Sequence, residues 1–522
     1  MQFAILLVVL SLFAFADCKA QEADMECDLS DWSKWRGLNK LNLFNYEHPQ
    51  PNYDDGGLPP RESDFILIRK MGFNLMRVVV DYKYIYNAET ESFNMQYIEW
   101  IDQFLEYGQK HRVHISINLH SAPGFSVIGN KDPFVLFHEE DIPNSGRPHF
   151  IRIWTFLAER YKDISNTFVD FNLLNEPDAN VIHYYHSGEP AANYLSLLSE
   201  TINAIREITP DRLIVLDVNS RRTFDLGLLD IESTENIILS AHCYFPWSVT
   251  HEGMNYQTQL PEGFTDGQIT WPIKNYFNGF IYAPGKSRVM FGVPNTKAIF
   301  NHPAGFSEGT VSVTLVKQSG NNLLILLCDG VETGRLMIPV NTPVGAALTF
   351  EGNPVKAGTK KVEIIKNEGD WINVDRYVIA GNSVETTNID WGYPPSEITI
   401  GTDTWSNAEL VRNTMFPSSG GWYKPGTNEF KYPVRVGEMS SMARTAEEAA
   451  WRANLFRDFA DAFHDMPFIF WEFKGGAMCI FNLHQTDVFT HSIDVEDSDG
   501  LITTYWYDKL WHDAIKHRLD LL

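Results

Sequence analysis

Cysteine and clustered basic residues are scarce in this sequence, and each scarcity excludes a class of protein. Only five cysteines occur in 522 residues, at positions 18, 27, 243, 328 and 479. They lie too far apart for a disulfide framework or a CxxC metal site. Acidic residues outnumber basic ones by 67 to 42, which gives a formal net charge of −25. Because nucleic acids and anionic membranes bind clustered Lys and Arg, we expect neither as a partner.

Long apolar runs are absent beyond the first residues of the chain. Residues 2–16 form an apolar segment that ends in Ala14-Phe15-Ala16, as expected for a secretory signal peptide. This segment is shorter than the roughly 18 apolar residues that a membrane span requires. We therefore expect a signal peptide over residues 1–16 and a secreted, soluble protein.

Segments with strand character alternate with segments that have helical spacing of apolar residues. We predict strands at 41–44, 73–80, 113–119, 167–174, 212–218 and 237–243, and helices at 63–71, 97–111, 149–161 and 194–208. The alternation returns after residue 400, with helices at 404–415 and 445–463, strands at 434–437 and 468–473, and a terminal helix at 504–522. No Gly-x-Gly-x-x-Gly follows the first strand, so a dinucleotide-binding fold is disfavoured. Eight strands in this pattern predict an α/β fold, the (β/α)8 TIM barrel.

Between residues 281 and 400 the helical pattern is interrupted. Short strands are predicted at 310–316, 322–328, 335–340, 346–350, 360–366 and 372–379, separated by Gly, Asn and Pro turns. This arrangement is typical of a β-sandwich. We therefore divide the chain into a signal peptide (1–16), a first barrel part with six strands (30–280), an inserted β-sandwich (281–400) and a second barrel part with two strands (401–522).

Functional side chains stand at or near the ends of the predicted barrel strands. The clearest case is the segment Phe171–Pro177, where an apolar strand leads to Asn175 and Glu176, and Pro177 cannot continue the sheet. Chemistry in a (β/α)8 barrel takes place at the C-terminal ends of the strands. We therefore expect one site that contains Arg77, His120, Asn175, Glu176, His242, Tyr244, Glu438 and Trp471.

Two carboxyl groups at this end of a barrel fit the cleavage of a glycosidic bond with retention of configuration. Strands four and seven lie on opposite sides of a barrel, so Glu176 and Glu438 can meet at its centre. One carboxylic acid would protonate the leaving oxygen while the other carboxylate attacks the anomeric carbon. Arg77 and Tyr244 would keep Glu438 ionised, and Asn175 would bind the 2-hydroxyl of the sugar.

The chain resembles glycoside hydrolase family 5 over residues 40–280 and 400–522. The matching motifs are Met71-Gly72-Phe73-Asn74-Leu75-Met76-Arg77, Asn118-Leu119-His120-Ser121-Ala122-Pro123-Gly124, Asn172-Leu173-Leu174-Asn175-Glu176-Pro177, His242-Cys243-Tyr244, Val436-Gly437-Glu438 and Phe470-Trp471. The resemblance implies that Glu176 is the acid/base and Glu438 the nucleophile. It also implies that the −1 subsite is lined by Arg77, His120, Asn175, His242, Tyr244 and Trp471.

Two features depart from the family pattern. Glu472 is a rival carboxylate next to Trp471, and we expect it to face away from the pocket because neighbouring residues of a strand point to opposite sides. The second departure is the inserted sandwich. Its segments 357–360 and 369–375 resemble the later strands of jelly-roll carbohydrate-binding modules, and Trp371 either binds sugar or packs in the core.

We expect a monomeric cellulase or β-glucanase that acts on a polysaccharide or oligosaccharide without cofactor or metal. The alternatives are a β-mannanase, an exo-β-glucosidase, a glycolipid glycosidase, a metal-dependent hydrolase built on His120 and His242, and a non-catalytic carbohydrate-binding protein. The loops 125–145, 245–271 and 475–499 would decide the sugar. Trp247, Trp271 and Trp422 are candidate stacking platforms.

Overall fold

The computed structural model describes residues 29–519, apart from gaps at 50, 52–53, 128–131, 138–141, 178–191, 219–224, 245–249, 251–275, 278–279, 282–288, 292–296, 303, 370–371, 384–397, 401–407, 409–410, 413–414, 417–422, 425–428 and 476–477. The predicted signal peptide and Trp247, Trp271, Trp371 and Trp422 lie outside the described residues, as does most of the helix predicted at 404–415. The chain divides into two compact units. The first comprises residues 1–242, 432–439 and 463–522, and the second comprises 243–431 and 440–462.

Eight strands form a closed parallel barrel. They are β1 (Arg36–Leu43), β2 (Leu75–Asp81), β3 (His114–Ala122), β4 (Val169–Asn172), β5 (Ile214–Asp217), β6 (Ile237–Cys243), β7 (Val434–Met439) and β8 (Phe468–Phe470). Their hydrogen-bonded order is β2-β1-β8-β7-β6-β5-β4-β3, and pairing of β3 with β2 closes the ring. The predicted TIM barrel is confirmed.

The barrel interior carries polar side chains where neighbouring strands are in register. Asn39 of β1 pairs with Arg77 of β2, and Arg77 pairs with Ser116 of β3. Ser116 in turn pairs with Asp170 of β4. Residues paired across parallel strands point to the same face of the sheet, so this register brings distant polar residues together inside the barrel. Every one of these four side chains is buried.

Helices follow the strands as the apolar spacing predicts. Their bounds are Glu62–Lys70, Met95–His111, Arg147–Tyr161, Ala192–Ile208, Ala446–Ala462 and Lys509–Ile515. In Met95–His111 the buried residues include Ile98, Ile101, Phe104 and Leu105, which form one face at helical spacing. This helix ends at His111, and the left-handed backbone of the next residue, Arg112 (φ 54°), returns the chain towards β3.

The helix predicted at 504–522 is wrong in its first part. Residues Ile502–Tyr507 form a strand in a three-stranded antiparallel sheet with Phe481–Asn482 and His491–Glu496. The segment Ile-Thr-Thr-Tyr-Trp-Tyr is β-branched and aromatic, which favours a strand. The helix begins only at Lys509, because Asp508 accepts a hydrogen bond from the Trp511 backbone N–H at 3.2 Å and caps it.

A buried ionic cluster joins β1 to segments far away in the chain. Lys40 lies 2.6 Å from Asp54 and 3.0 Å from Asp64. Lys474, beyond the end of β8, lies 2.5 Å from Asp55 and 2.9 Å from Asp64. All five side chains are at most 2% exposed. Each charge therefore depends on its partners for stabilisation in a region from which water is excluded.

In the described part of the second unit, two antiparallel sheets have five strands each. One sheet is formed by Val289–Phe291, Val311–Gln318, Ala347–Thr349, Ile372–Ile379 and Asn382–Ser383, and the other by Lys297–Asn301, Asn322–Cys328, Val331–Ile338, Lys361–Gly369 and Ile398–Ile400. Residues of both sheets contribute to one apolar cluster, which includes Val313, Leu326 and Val374. The six predicted strands overlap these sheets. The domain limits at 281 and 400 remain a prediction.

Within the described part of the chain, no helix combines the length and apolar character that a membrane span requires.

Candidate active site

Arg77 is the centre of the candidate active site. It lies in the interior of β2 and is fully buried. Its guanidinium makes five hydrogen bonds, and their acceptors are Asn172 (2.8 Å), Asn39 (2.8 Å), Glu438 (2.7 Å), Asn175 (2.8 Å) and Asp217 (3.2 Å). A guanidinium has five N–H donors in a planar fork, so Arg77 links four strands and the loop after β4 in a fixed geometry.

Glu438 lies in β7, and Arg77 donates to its Oε1 at 2.7 Å. The residue is only 4% exposed. Gly437 before it allows β7 to approach β6 closely, because a Cβ there would lie 2.3 Å from the Ser240 hydroxyl and 3.0 Å from the His242 ring. The close packing of β7 against β6 therefore explains the glycine in the Val436-Gly437-Glu438 motif.

Glu176 follows the end of β4 and has a left-handed backbone, with φ at 42°. Such a conformation is strained for a residue with a side chain, and strain of this kind concentrates at functional sites. The Glu176 side chain is 39% exposed, in contrast to buried Glu438. His242 Nδ1 lies 2.6 Å from Glu176 Oε1. Of the two carboxyl groups, the accessible one thus contacts an imidazole and the buried one a guanidinium.

The two carboxyl groups lie close together. An oxygen of Glu176, an oxygen of Glu438 and a ring nitrogen of His242 are all within 4.8 Å of one another. Both glutamates belong to the first compact unit, at the C-terminal ends of strands four and seven. The structure therefore brings together two acids that are 262 positions apart in the chain (438 − 176).

His242 has a raised pKa. Burial disfavours a charge on its ring, but Glu438 and Asp217 outweigh that effect and raise the pKa of His242 to about 10. The reverse holds for His120, whose pKa is lowered by burial and by the nearby Arg77 charge. Around neutral pH the site therefore contains one charged and one neutral imidazole.

The same three atoms of Glu176, His242 and Glu438 are close enough to hold a metal ion. The charges of these three groups favour hydrogen bonds between them over coordination of a metal ion. Arg77 already donates to Glu438, and a protonated His242 has no free lone pair on either ring nitrogen.

Aromatic rings surround His120. Its ring lies 5.5 Å from that of Trp471 in a stacked arrangement and 5.2 Å from Phe44 in an edge-on one. Trp471 and Phe44 are only half-buried. Asn175 Nδ2 lies 3.3 Å from His120 Nε2. The half-buried Trp471 ring thus lies next to the Asn175 amide, and an aromatic face beside a polar group suits a sugar ring.

The first unit brings together seven of the eight predicted residues. They are Arg77, His120, Asn175, Glu176, His242, Glu438 and Trp471. Tyr244 lies beyond the end of β6 in the second unit and is half-buried, and its role remains a prediction.

Glu472 is fully buried. We expected it to point away from the pocket because strand neighbours alternate, but β8 ends at Phe470, so both Trp471 and Glu472 lie beyond the strand. That reasoning therefore does not apply to Glu472.

Three buried residues of the site, Asn39, Asn172 and Asp217, are absent from the predicted set. All three contact Arg77. Asp217 is the last residue of β5. The rule that identified the other residues, a polar side chain at the end of an apolar strand, applies equally to Asp217. Asn39 had no such signal, because the predicted first strand begins only at residue 41.

The sequence also matches known proteins. The Cellulase family model (glycosyl hydrolase family 5) matches residues 35–281. Endoglucanase C of Acetivibrio thermocellus is 29% identical over 197 residues, which are 37% of this chain and 52% of that protein. A probable glucan 1,3-beta-glucosidase A of Emericella nidulans is 22% identical over 221 residues, 42% of this chain and 47% of that protein.

Among solved structures, one described as a crystal structure of a glycoside hydrolase has a TM-score of 0.49 at 17% identity, and the match covers 93% of this chain and 99% of that one. The chain spans about half the length of the curated relatives that it matches. The match of residues 35–281 to the Cellulase family model, together with the endoglucanase relatives, supports membership of glycoside hydrolase family 5 for this part of the chain.

Proposed function

We propose that this protein is a retaining glycoside hydrolase that cleaves β-glucans, with Glu176 as the acid/base and Glu438 as the nucleophile. The observation that carries the proposal is the short distance, at most 4.8 Å, between oxygens of the two carboxyl groups. Retaining glycosidases hold their carboxyl groups about 5–5.5 Å apart, whereas inverting ones leave roughly 6.5–9.5 Å for a water molecule.

The different surroundings of the two acids support the assignment of roles. A guanidinium at 2.7 Å stabilises the ionised form of Glu438, which a nucleophile requires. Glu176 is the more exposed acid, so it can reach both the leaving oxygen and an incoming water.

The reaction proceeds in two displacements. Glu438 attacks the anomeric carbon and forms a bond to it, while the bond to the leaving oxygen breaks and that oxygen takes the proton of Glu176. Water then attacks the same carbon and gives a proton to Glu176, and Glu438 leaves as a carboxylate. Each step inverts the anomeric carbon, so the product retains the β configuration.

The remaining residues support binding in the −1 subsite. Asn175 Oδ1 accepts from Arg77, which leaves its amide N–H groups for His120 and a sugar 2-hydroxyl. Trp471 offers a half-exposed ring on which the apolar face of a sugar can stack. Tyr244 remains a predicted residue of the −1 subsite, as the family resemblance implies.

The substrate class rests on the relatives. One is named an endoglucanase and another a glucan 1,3-beta-glucosidase, so a β-linked glucan is the shared substrate type. β-Mannan, small β-glucosides and glycolipids are the alternatives to be tested, as is binding of carbohydrate without cleavage. We also infer secretion, from the apolar segment at residues 2–16.

The test compares variants on a panel of β-glycans with the product lengths resolved. Glu176→Gln and Glu438→Gln should each lower kcat on the best substrate by a factor of about 10²–10⁴ or more, while circular dichroism and melting temperature stay close to wild type. Glu472→Gln is the matched control and should retain turnover. Full activity in either of the first two variants would overturn the proposal.

A further inference from the structure

Asp217 is a buried acid that the proposed reaction does not use. It ends β5 and is 2% exposed. Its carboxylate accepts hydrogen bonds from Asn172 Nδ2 (2.8 Å), Arg77 Nη2 (3.2 Å) and the Glu176 backbone N–H (3.3 Å). His242 Nε2 lies 3.2 Å from it as well. Asp217 thus contacts the arginine that binds one catalytic glutamate and the backbone of the other.

His242 connects Asp217 to the proposed acid/base. Its Nε2 faces Asp217 at 3.2 Å and its Nδ1 faces Glu176 Oε1 at 2.6 Å. The partner of one imidazole nitrogen determines the proton on that nitrogen and the orientation of the ring. With a carboxylate 3.2 Å from Nε2, the opposite ring nitrogen, Nδ1, lies next to Glu176 Oε1.

The charges in this part of the barrel are balanced by Asp217. Arg77 and His242 are two cations, and Glu438 and Asp217 are two anions close to them. Burial works against ionised Asp217, but His242 and Arg77 hold the pKa of Asp217 well below its usual range. Without Asp217 these four side chains would carry one excess positive charge.

We propose that Asp217 is a positioning residue that orients Arg77 and His242 and balances their positive charge around the two catalytic glutamates. This inference rests on the proposed function. Asp217 contacts no reacting atom, and it acts through His242 and Arg77. The charged and titratable groups that face His242 and Asp217 are Arg77 of β2, His120 of β3, Glu176 after β4, and Glu438 and Arg435 of β7.

The pH dependence of kcat/KM tests the proposal in the full-length protein. The basic limb of the profile reports loss of the proton from the acid/base. Asp217→Asn removes one negative charge, so this limb should move to lower pH by about one unit. The acidic limb, which reports ionisation of the nucleophile, should move in the same direction. Asp217→Glu retains the charge, so its limbs should stay near those of wild type while kcat falls.

Asp170→Asn is the matched control. Asp170 is also fully buried inside the barrel, but its partners are His114, Ser116 and Arg435 rather than His242. The variant should lose stability and leave both limbs in place. Unshifted limbs in Asp217→Asn, or an equal shift in Asp170→Asn, would overturn the proposal.

A second measurement uses the wild-type protein, so it requires neither catalytic activity nor a folded Asp217→Asn variant. ¹⁵N-edited NMR of the imidazole groups should show the wild-type His242 ring protonated on both nitrogens at pH 7. Titration of His242 near its ordinary pKa would contradict the assignment. If wild type cleaves no glycoside at all, the proposed function fails, whereas a cleaving wild type with an ordinary His242 refutes only the role of Asp217.

Discussion

At the scale of single residues, one arginine organises the candidate site. Arg77 forms hydrogen bonds to five side chains from β1, β4, β5, β7 and the loop after β4. Its neighbours in the sequence are Met76 and Val78, both fully buried. An arginine inside such an apolar strand is costly unless every donor is satisfied. Hydrogen bonds to its partners therefore stabilise Arg77 in the barrel interior. Among these partners, Glu438 is the one proposed to react with the substrate.

Arg77→Lys tests whether this fork is required. An ammonium is a point charge with three donors, so it retains the positive charge but cannot contact all five partners. We expect kcat to fall by about 10²-fold or more, as when one preorganised electrostatic group is removed from an active site. Steady-state kinetics on the best substrate and the melting temperature are the measurements.

The same exchange at a surface pair provides the control. Arg160 binds Asp102 and is partly exposed, so Arg160→Lys should change neither kcat nor stability measurably. If Arg77→Lys had wild-type kcat, the positive charge alone would suffice and the fork would have no catalytic importance.

At the scale of elements, the sequence predicts the barrel well because apolar strands and amphipathic helices alternate with different periods. The bounds 237–243 agree with those of β6, and the helix predicted at 97–111 is Met95–His111. The helix predicted from residue 504 is wrong over residues 504–507, because these residues pair as a strand with His491–Glu496. Pairing partners are set by the whole fold and are not visible in local periodicity.

The candidate site could be predicted from local sequence patterns only in part. Glu176 and Glu438 follow from strand ends and motifs, and Asp217 could have been added by the same rule. Asn39 could not, because its importance comes from its register with Arg77. The Lys40 cluster could not be predicted from the sequence either. Its members are residues 40, 54, 55, 64 and 474, and no local pattern connects them.

Lys40→Met tests the importance of this cluster for stability. The change leaves Asp54, Asp55 and Asp64 with too little positive charge in a buried place, so we expect a loss of about 3–5 kcal/mol in the free energy of unfolding. Urea unfolding followed by tryptophan fluorescence measures it. Lys34→Met, which breaks an exposed pair with Asp31, should cost no more than about 1 kcal/mol. Equal losses in the two variants would contradict a special role for the buried cluster.

At the scale of the whole molecule, the chain divides into two compact units and carries a formal net charge of −25. The described catalytic candidates other than Tyr244 all belong to the first unit. Closure of the barrel is what turns residues from distant parts of the sequence into one site, because strands four and seven approach each other only across the ring. In the proposed reaction, Glu438 therefore forms a bond to the sugar while Glu176 supplies the proton.

A covalent trap tests that claim most directly. A 2-deoxy-2-fluoro β-glycoside with an activated leaving group slows hydrolysis of the glycosyl-enzyme, so the intermediate of a retaining enzyme accumulates. Mass spectrometry of the digested protein should locate the sugar on Glu438, and Glu438→Gln should remain unlabelled. Labelling of Glu176 or Glu472 instead, or an α-configured first product by NMR without any label, would contradict the account.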